Sequence, residues 1–276
     1  PGRIVEGRIL FGARHGGEPE DLVGAPLKRL QEIRGNRIAY IFQDPLTTLN
    51  PLLTVGEQVA ETIRRHQGLS ADKAWSRAVE LLDLVQIPEA GEKAGAYPHQ
   101  MSGGQRQRVV IAMALANEPD LIIADEPTTA LDVTTQARVL RLLDRLRRDQ
   151  GASLIFITHD FGVVSEVCDR VMVMYAGRAV ETGPVETVFA APKHPYTDRL
   201  MACVPVLGQP ERAIDAIPGL PPAVDRLPPG CAFAPRCPLA IDACRHGEIA
   251  LAPVSRDHAA RCIRTEEVDR MREART

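Results

Sequence analysis

Leu121–Ile122–Ile123–Ala124–Asp125–Glu126–Pro127–Thr128–Thr129–Ala130–Leu131–Asp132 is the stretch that decides the fold. Four consecutive apolar residues predict a parallel strand covered on both faces. Two carboxylates end it, and strand alternation aims Asp125 and Glu126 in different directions from one rigid support. A helix is expected from about 134 to 149, with Val139, Leu142, Leu143 and Leu146 on one face and Gly151 just past its end. Residues 153–158 read as another buried strand, and 170–175 as a third. Strand and helix alternating in this way argue for a doubly wound α/β sheet. In such sheets functional groups gather in the crevice where strands end, which is where Asp125, Glu126 and His159 fall.

Three further segments accompany that stretch within about 120 residues, and its own end counts as another. Ile41–Phe42–Gln43–Asp44–Pro45 closes a β-like run over 37–42. Met101–Ser102–Gly103–Gly104–Gln105 opens a helix through Val109, Val110, Ala112 and Met113. Ala130–Leu131–Asp132 follows the carboxylate pair, and Ile157–Thr158–His159–Asp160 ends the next strand. Ser102 reads as a helix N-cap, and the two glycines let backbone N–H groups approach an anion. A helix N-terminus with bare N–H groups is a phosphate site.

In this order the segments resemble the nucleotide-binding subunits of ABC transporters: glutamine loop, signature motif, Walker B strand with its glutamate, D-loop and switch histidine. The resemblance implies an ABC-type nucleotide-binding domain, with a doubly wound α/β core and a helical subdomain at about 51–118. It implies ATP and Mg²⁺ as ligands. Asp125 suits an indirect magnesium contact, because this hard cation keeps several waters and takes one or two carboxylates. Glu126 is the candidate general base, and His159 holds the attacking water and Glu126 in line. Gln43 has an amide able to accept from water and to coordinate magnesium. Ser102, Gly103, Gly104 and Gln105 would bind nucleotide held by the opposite subunit, with Asp132 as the D-loop contact.

The phosphate-cradling loop G-x-x-x-x-G-K-[ST] of such machines does not occur. No Gly-Lys dipeptide exists, and the lysines are Lys28, Lys73, Lys93 and Lys193. In the family that loop precedes the glutamine loop. Residues 7–11 read as a strand with no partner before it, so the expectation is a cassette lacking roughly its first quarter.

Composition sets broad limits. A formal net charge of −3, with 45% hydrophobic and 25% charged residues, is ordinary for a globular protein and shows no basic excess for nucleic acid. The longest apolar run, Val109 to Ala116, is far short of the roughly 18 residues that span a bilayer.

Beyond residue 204 the texture changes. Seven prolines between Pro205 and Pro229 suggest an extended linker. Two segments, His194–Pro195–Tyr196–Thr197 before this stretch and Pro228–Pro229–Gly230–Cys231–Ala232–Phe233–Ala234–Pro235–Arg236–Cys237–Pro238 at its end, resemble the C-terminal extension of oligopeptide and dipeptide importer ATPases. The expected organisation is a cassette over 1–190 and this extension over 191–276. The resemblance implies a second ATPase subunit, two transmembrane permeases and an extracytoplasmic peptide-binding protein, at the cytoplasmic face of the inner membrane. A soluble ABC protein acting on ribosomes or DNA would carry a tandem cassette or a long coiled-coil insertion, and neither is seen in these 276 residues. A non-catalytic nucleotide-binding subunit is the third reading.

Cys231, Cys237, Cys244 and Cys262 are spaced C-x5-C-x6-C-x17-C. Four thiolates can hold zinc or a [4Fe–4S] cluster, and some members of this importer family carry the cluster in this region. Iron–sulfur is favoured, with zinc and unligated thiols left open. Arg236, Arg245 and Arg261 flank the cysteines and are expected to favour thiolates. Cys168 and Cys203 read as small buried hydrophobes.

Overall fold

A computed structural model describes residues 4–12, 18–128, 131–203, 216–223 and 225–273. Thr129, Ala130 and residues 204–215 and 224 of the proline-rich stretch lie outside the described residues, as does the side chain of Leu146. Two compact units divide at His159/Asp160.

The first unit begins with β1 (Leu10–Phe11), which pairs antiparallel with β2 (Glu20–Asp21). The first strand therefore finds its partner downstream. Helix α1 (Leu27–Ile33) leads into β3 (Ile38–Ile41), which pairs in parallel with β4 (Leu121–Asp125). Strand β5 (Ser153–Ile157) adds to the other edge of β4, giving the order β3-β4-β5.

Between β3 and β4 run α2 (Pro45–Thr48), α3 (Val55–Gln67), α4 (Ala71–Leu84), α5 (Ala90–Lys93) and α6 (Gly103–Leu115). Local signals set these limits. Thr54 and Glu57 cap α3 reciprocally, and Gly68 ends it at φ +64°, a left-handed conformation that costs glycine least. Helix α7 (Val133–Gln150) is capped by Asp132 and stops at Gly151, φ +63°. Ile41, Ile63, Leu82, Ile111, Leu115, Ile122 and Leu143 form the dry interior shared by sheet and helices. Removing the side chain of one such residue costs about 2–5 kcal/mol.

The sheet differs from expectation on one point. Ile122 and Ala124 are buried, with Leu154 and Phe156 packed beside them, but Tyr40, Ile155 and Ile157 on the opposite face are 38–49% exposed. The helices of this unit cover one face, so alternation leaves the other open.

The second unit opens with α8 (Phe161–Val167). Strands β6 (Arg170–Tyr175), β7 (Arg178–Pro184), β8 (Ala252–Ser255) and β9 (His258–Ala260) form an antiparallel sheet in the order β6-β7-β9-β8. The stretch 170–175 is thus no parallel core strand. Ala176 and Gly177, at φ +48° and +78°, turn it straight back into β7, as a two-residue hairpin requires. Met172 and Met174 are exposed while Val173 and Tyr175 are buried.

Helices α9 (Val185–Ala190), α10 (Pro195–Ala202) and α11 (Thr265–Glu273) complete this unit. Because β9 pairs with β7, compactness does not divide the chain near residue 190. Phe233, fully buried, packs edge-on against Tyr175 and Tyr196 at 5.3 and 5.4 Å, fastening the Pro228–Pro238 stretch to the segment that follows His194.

Candidate active site

Three parallel strands deliver the candidate groups at their C-terminal ends. Gln43 follows β3, Asp125 and Glu126 end β4, and His159 follows β5. Gln43 Nε2 donates to Glu126 Oε2 at 2.9 Å, and His159 Nδ1 lies 3.0 Å from Glu126 Oε1. Residues 83 and 33 positions from Glu126 thereby hold its two carboxylate oxygens. His159 is 79% exposed in its side chain and Glu126 23%, so the pair is open to a ligand.

The backbone of Glu126 is strained. A following proline pushes a residue toward extended conformation, yet Glu126 sits at φ +44°. Its N–H donates to Ile157 O at 2.9 Å, which pins the turn to β5. Non-glycine residues held in this region store about 1–3 kcal/mol and cluster at functional sites.

Asp125 has a partner that sequence reasoning missed. Tyr40 is in register with Ile123, so alternation puts Tyr40 and Asp125 on the same open face. The Tyr40 hydroxyl donates to Asp125 Oδ2 at 2.7 Å, and this bond, then burial, raises the tyrosine pKa. Among the described residues no three His, Cys, Asp or Glu side chains converge as a metal site. Magnesium needs only one or two carboxylates when phosphate oxygens supply the rest. The oxygen donors of Asp125, with the Gln43 carbonyl left over from its bond to Glu126, suit such a cation.

The residues that resemble the signature motif form a second candidate site. Ser102 Oγ accepts from Gln105 N at 3.3 Å, and Gln105 Oε1 accepts from Ser102 N at 2.9 Å, a reciprocal cap at the start of α6. Gly103 and Gly104 stand in the first turn, whose N–H groups have no intrahelical acceptor. Met101, just before them, is buried. Asp132 caps α7 by accepting from Thr135 N at 3.0 Å and from Thr135 Oγ1 at 2.7 Å. The Thr135 hydroxyl, then its N–H, lowers the Asp132 pKa.

Residues 6–129 match the ABC transporter family, and residues 180–244 match the oligopeptide/dipeptide transporter C-terminal region. A Brucella melitensis protein named as a peptide import ATP-binding protein is 48% identical over 97% of this chain and 80% of its own length. The chain belongs to the ABC transporter family. A Brucella abortus protein of the same name is 53% identical over 82% of this ABC chain and 68% of its own length. Among solved structures, the dimeric ATP-binding cassette MJ0796, in a post-hydrolysis state with ADP and Pi, is 33% identical and aligns with a TM-score of 0.55 over 60% of this chain and 70% of that one. CbiO1 of Clostridium perfringens aligns at 0.51, with 32% identity over 59% and 61%. Among the described residues of this ABC subunit, no helix is long and apolar enough to cross a membrane.

Cys231, Cys237, Cys244 and Cys262 of this ABC subunit line one cavity, with His194 and Phe233. None is in a disulfide. The chemistry there departs from the sequence reading. Burial dominates and raises the Cys231 thiol, takes Cys237 up to about 11 and Cys262 up to about 12. The flanking arginines do not reverse this. Arg236 is committed to Pro218 O, Ile217 O and the Tyr175 hydroxyl, and Arg261 to Ala179 O and Ile249 O. A metal would bind these cysteines as thiolates, releasing their protons, and as placed the four form no metal-holding group. The iron–sulfur expectation finds no support in these residues as placed. Cys168 and Cys203 are half-buried rather than buried.

A further polar cluster had no signal in sequence. Glu181 on β7 is wholly buried: Oε1 accepts from Lys193 N at 2.6 Å and meets His258 Nε2 at 2.7 Å, and Oε2 accepts from His194 N at 3.0 Å. His194 caps α10 by accepting from Tyr196 N at 3.1 Å. Lys193 Nζ reaches Asp269 of α11 at 2.5 Å. One carboxylate thus binds β7, the His194 segment and β9 together.

Proposed function

We propose that this chain is the ATP-hydrolysing subunit of a peptide importer, with Glu126 as the base that activates water. The observation that carries the reading is the hydrogen-bonded chain Gln43–Glu126–His159 at the ends of three parallel strands. With both oxygens of Glu126 held, its carboxylate is oriented to take a proton from a water in line with a terminal phosphate. The ionised carboxylate accepts, so His159 donates to it through Nδ1–H; to donate to the phosphate from Nε2 as well, the ring must be the doubly protonated imidazolium, because a phosphate oxygen only accepts. Gln43 donates through its nitrogen and keeps its carbonyl for water or cation. Asp125 and Gln43 would hold Mg²⁺, which when bound offsets charge on the phosphate oxygens. Ser102, Gly103, Gly104 and Gln105 bind the nucleotide of a second ATPase subunit through the N-terminus of α6, with Asp132 beside them.

The match of residues 180–244 to the oligopeptide/dipeptide transporter C-terminal region supports peptide cargo. The assembly we infer has two ATPase subunits, identical or not, on two permeases, fed by an extracytoplasmic peptide-binding protein. The chain sits peripherally on the cytoplasmic face of the inner membrane and engages no nucleic acid. In division of labour, residues 1–190 act as cassette and 191–276 as the importer-type extension. The four cysteines are read as packed thiols; four irons per chain after anaerobic purification of the full-length protein would reinstate the cluster.

Reconstitution of the full-length complex in vesicles tests the function. ATP hydrolysis and ATP-dependent uptake of a labelled oligopeptide are expected together. Hydrolysis without peptide uptake would remove the cargo assignment, and no hydrolysis would remove both.

A further inference from the structure

Gly104 is not glycine for backbone reasons. Its φ is unexceptional for a helix, unlike the positive angles of Gly68 or Gly151. A Cβ built there would meet Thr135 Cγ2 at 2.9 Å, and the next nearest atoms are also Thr135's, at 3.9 and 4.0 Å. Gly103, its neighbour, has nothing within 4 Å of such an atom. The two glycines of one motif are therefore bare for different reasons.

Thr135 has two arms. Its hydroxyl and N–H both bind the Asp132 carboxylate, at 2.7 and 3.0 Å, which fixes the side-chain rotamer. With the hydroxyl fixed, the methyl has one place to be, and that place is against Gly104. The same neighbourhood extends one turn along both helices, where the Arg138 charge acts on Arg108, whose guanidinium holds Gly104 O at 3.2 Å. Any shift of Asp132 is passed through Thr135 to the turn that presents the Gly103 and Gly104 N–H groups. Close-packed contacts of this kind transmit displacement because they cannot be compressed.

We infer that Thr135 is a positioning residue that couples Asp132 to the signature turn, and that Gly104 must lack a side chain to seat its methyl. The inference rests on the proposed reading of Ser102–Gln105 as a phosphate site.

Allele-specific rescue tests it in the full-length assembled complex. Gly104→Ala should lower kcat/KM for ATP by roughly tenfold or more, as overpacking of a tight contact does. Adding Thr135→Ser, which removes the methyl and keeps the hydroxyl, should restore at least half of that loss on a logarithmic scale. Adding Thr135→Val, which keeps the bulk and loses the donor, should restore none. A Gly104→Ala, Thr135→Ser double variant no better than Gly104→Ala, or equal rescue by valine, overturns the coupling. Should Gly104→Ala fail to assemble, the same three variants are read by melting temperature, where recovery with serine but not valine supports the contact and any other pattern overturns it. An inactive wild-type complex would instead overturn the phosphate-site reading on which the coupling rests.

Discussion

Two glutamate–histidine pairs occur in this molecule, one in each compact unit, and they do opposite things. Glu126 and His159 meet at 3.0 Å with side chains 23% and 79% exposed. Glu181 and His258 meet at 2.7 Å with side chains 0% and 2% exposed. The contact chemistry is the same. The first carboxylate has its oxygens held by side chains at a strained, open turn, where water and a ligand can reach it. The second is closed over by two backbone N–H groups and the sheet, and nothing can exchange a proton with it without local opening. Access, rather than the pair itself, separates a site from a staple.

One isosteric substitution, glutamate to glutamine, should split the two. Glu126→Gln keeps the shape and can still accept from Gln43, but cannot take a proton. In the full-length complex turnover should fall by roughly 10²–10⁴-fold, the usual worth of a general base, while equilibrium binding of ATP stays within a few-fold. Turnover within threefold of wild type would remove Glu126 from the base role.

At Glu181 the same change should leave the chemical step alone and strike the fold. One end of the new amide is a donor facing the N–H of Lys193 or His194, and His258 loses a carboxylate partner. Leaving buried donors unsatisfied costs about 1–3 kcal/mol, which chemical denaturation followed by signals from the second unit would read. A loss below about 1 kcal/mol would show that the cluster is slack.

The contrast also explains what was legible beforehand. The Walker B strand, the Ser102 cap and the α7 stop at Gly151 are written in residues a few positions apart, so the sequence spells them out. Gln43, Glu126 and His159 were placed by motif order, and the structure adds the bonds between them. The Tyr40–Asp125 bond needed the register of β3 on β4, which no local signal carries. Glu181 and His258 lie 77 residues apart, and each reads as an ordinary polar residue in its own strand. The cysteine spacing was plain, but the thiol chemistry depended on burial, which spacing does not encode. Residues 170–175 looked like core strand because β-branched and apolar residues alternate there; only the hairpin turn at Ala176–Gly177 shows which sheet takes them.

The sealed region should also announce itself by pH. Burial first, then the Arg261 charge, lowers the His194 pKa to about 4 from 6.5. The unfolded chain therefore takes up this proton at higher pH than the folded one. Stability from this group is full above about 6.5 and declines as pH falls toward about 4, by about 2 kcal/mol between pH 7 and 5. Arg261 stays charged throughout, and Glu181 accepts the His194 N–H rather than its ring. His194→Asn keeps a side-chain cap for α10 and removes the titration. Its melting temperature should then change less between pH 7 and 5 than that of wild type; an unchanged difference would move the pH dependence elsewhere.

The smallest effect returns to the open pair's surroundings. Tyr40 donates to Asp125 on the exposed face of the sheet, holding the carboxylate in one rotamer beside Glu126. Tyr40→Phe keeps the ring and its packing on Phe42, 4.4 Å away, and deletes the donor alone. A side-chain hydrogen bond of this kind contributes about 0.5–1.5 kcal/mol, equivalent to roughly two- to tenfold in an affinity. On the proposed division of roles, Asp125 for the cation and Glu126 for the proton, the loss should fall on magnesium and not on the base. The half-saturating Mg²⁺ concentration for ATP hydrolysis should rise by roughly two- to fivefold, with kcat at saturating Mg²⁺ held within about twofold. A fall in kcat with unchanged magnesium dependence would mean that Tyr40 acts through Glu126, and that the two adjacent carboxylates do not divide the work between cation and proton.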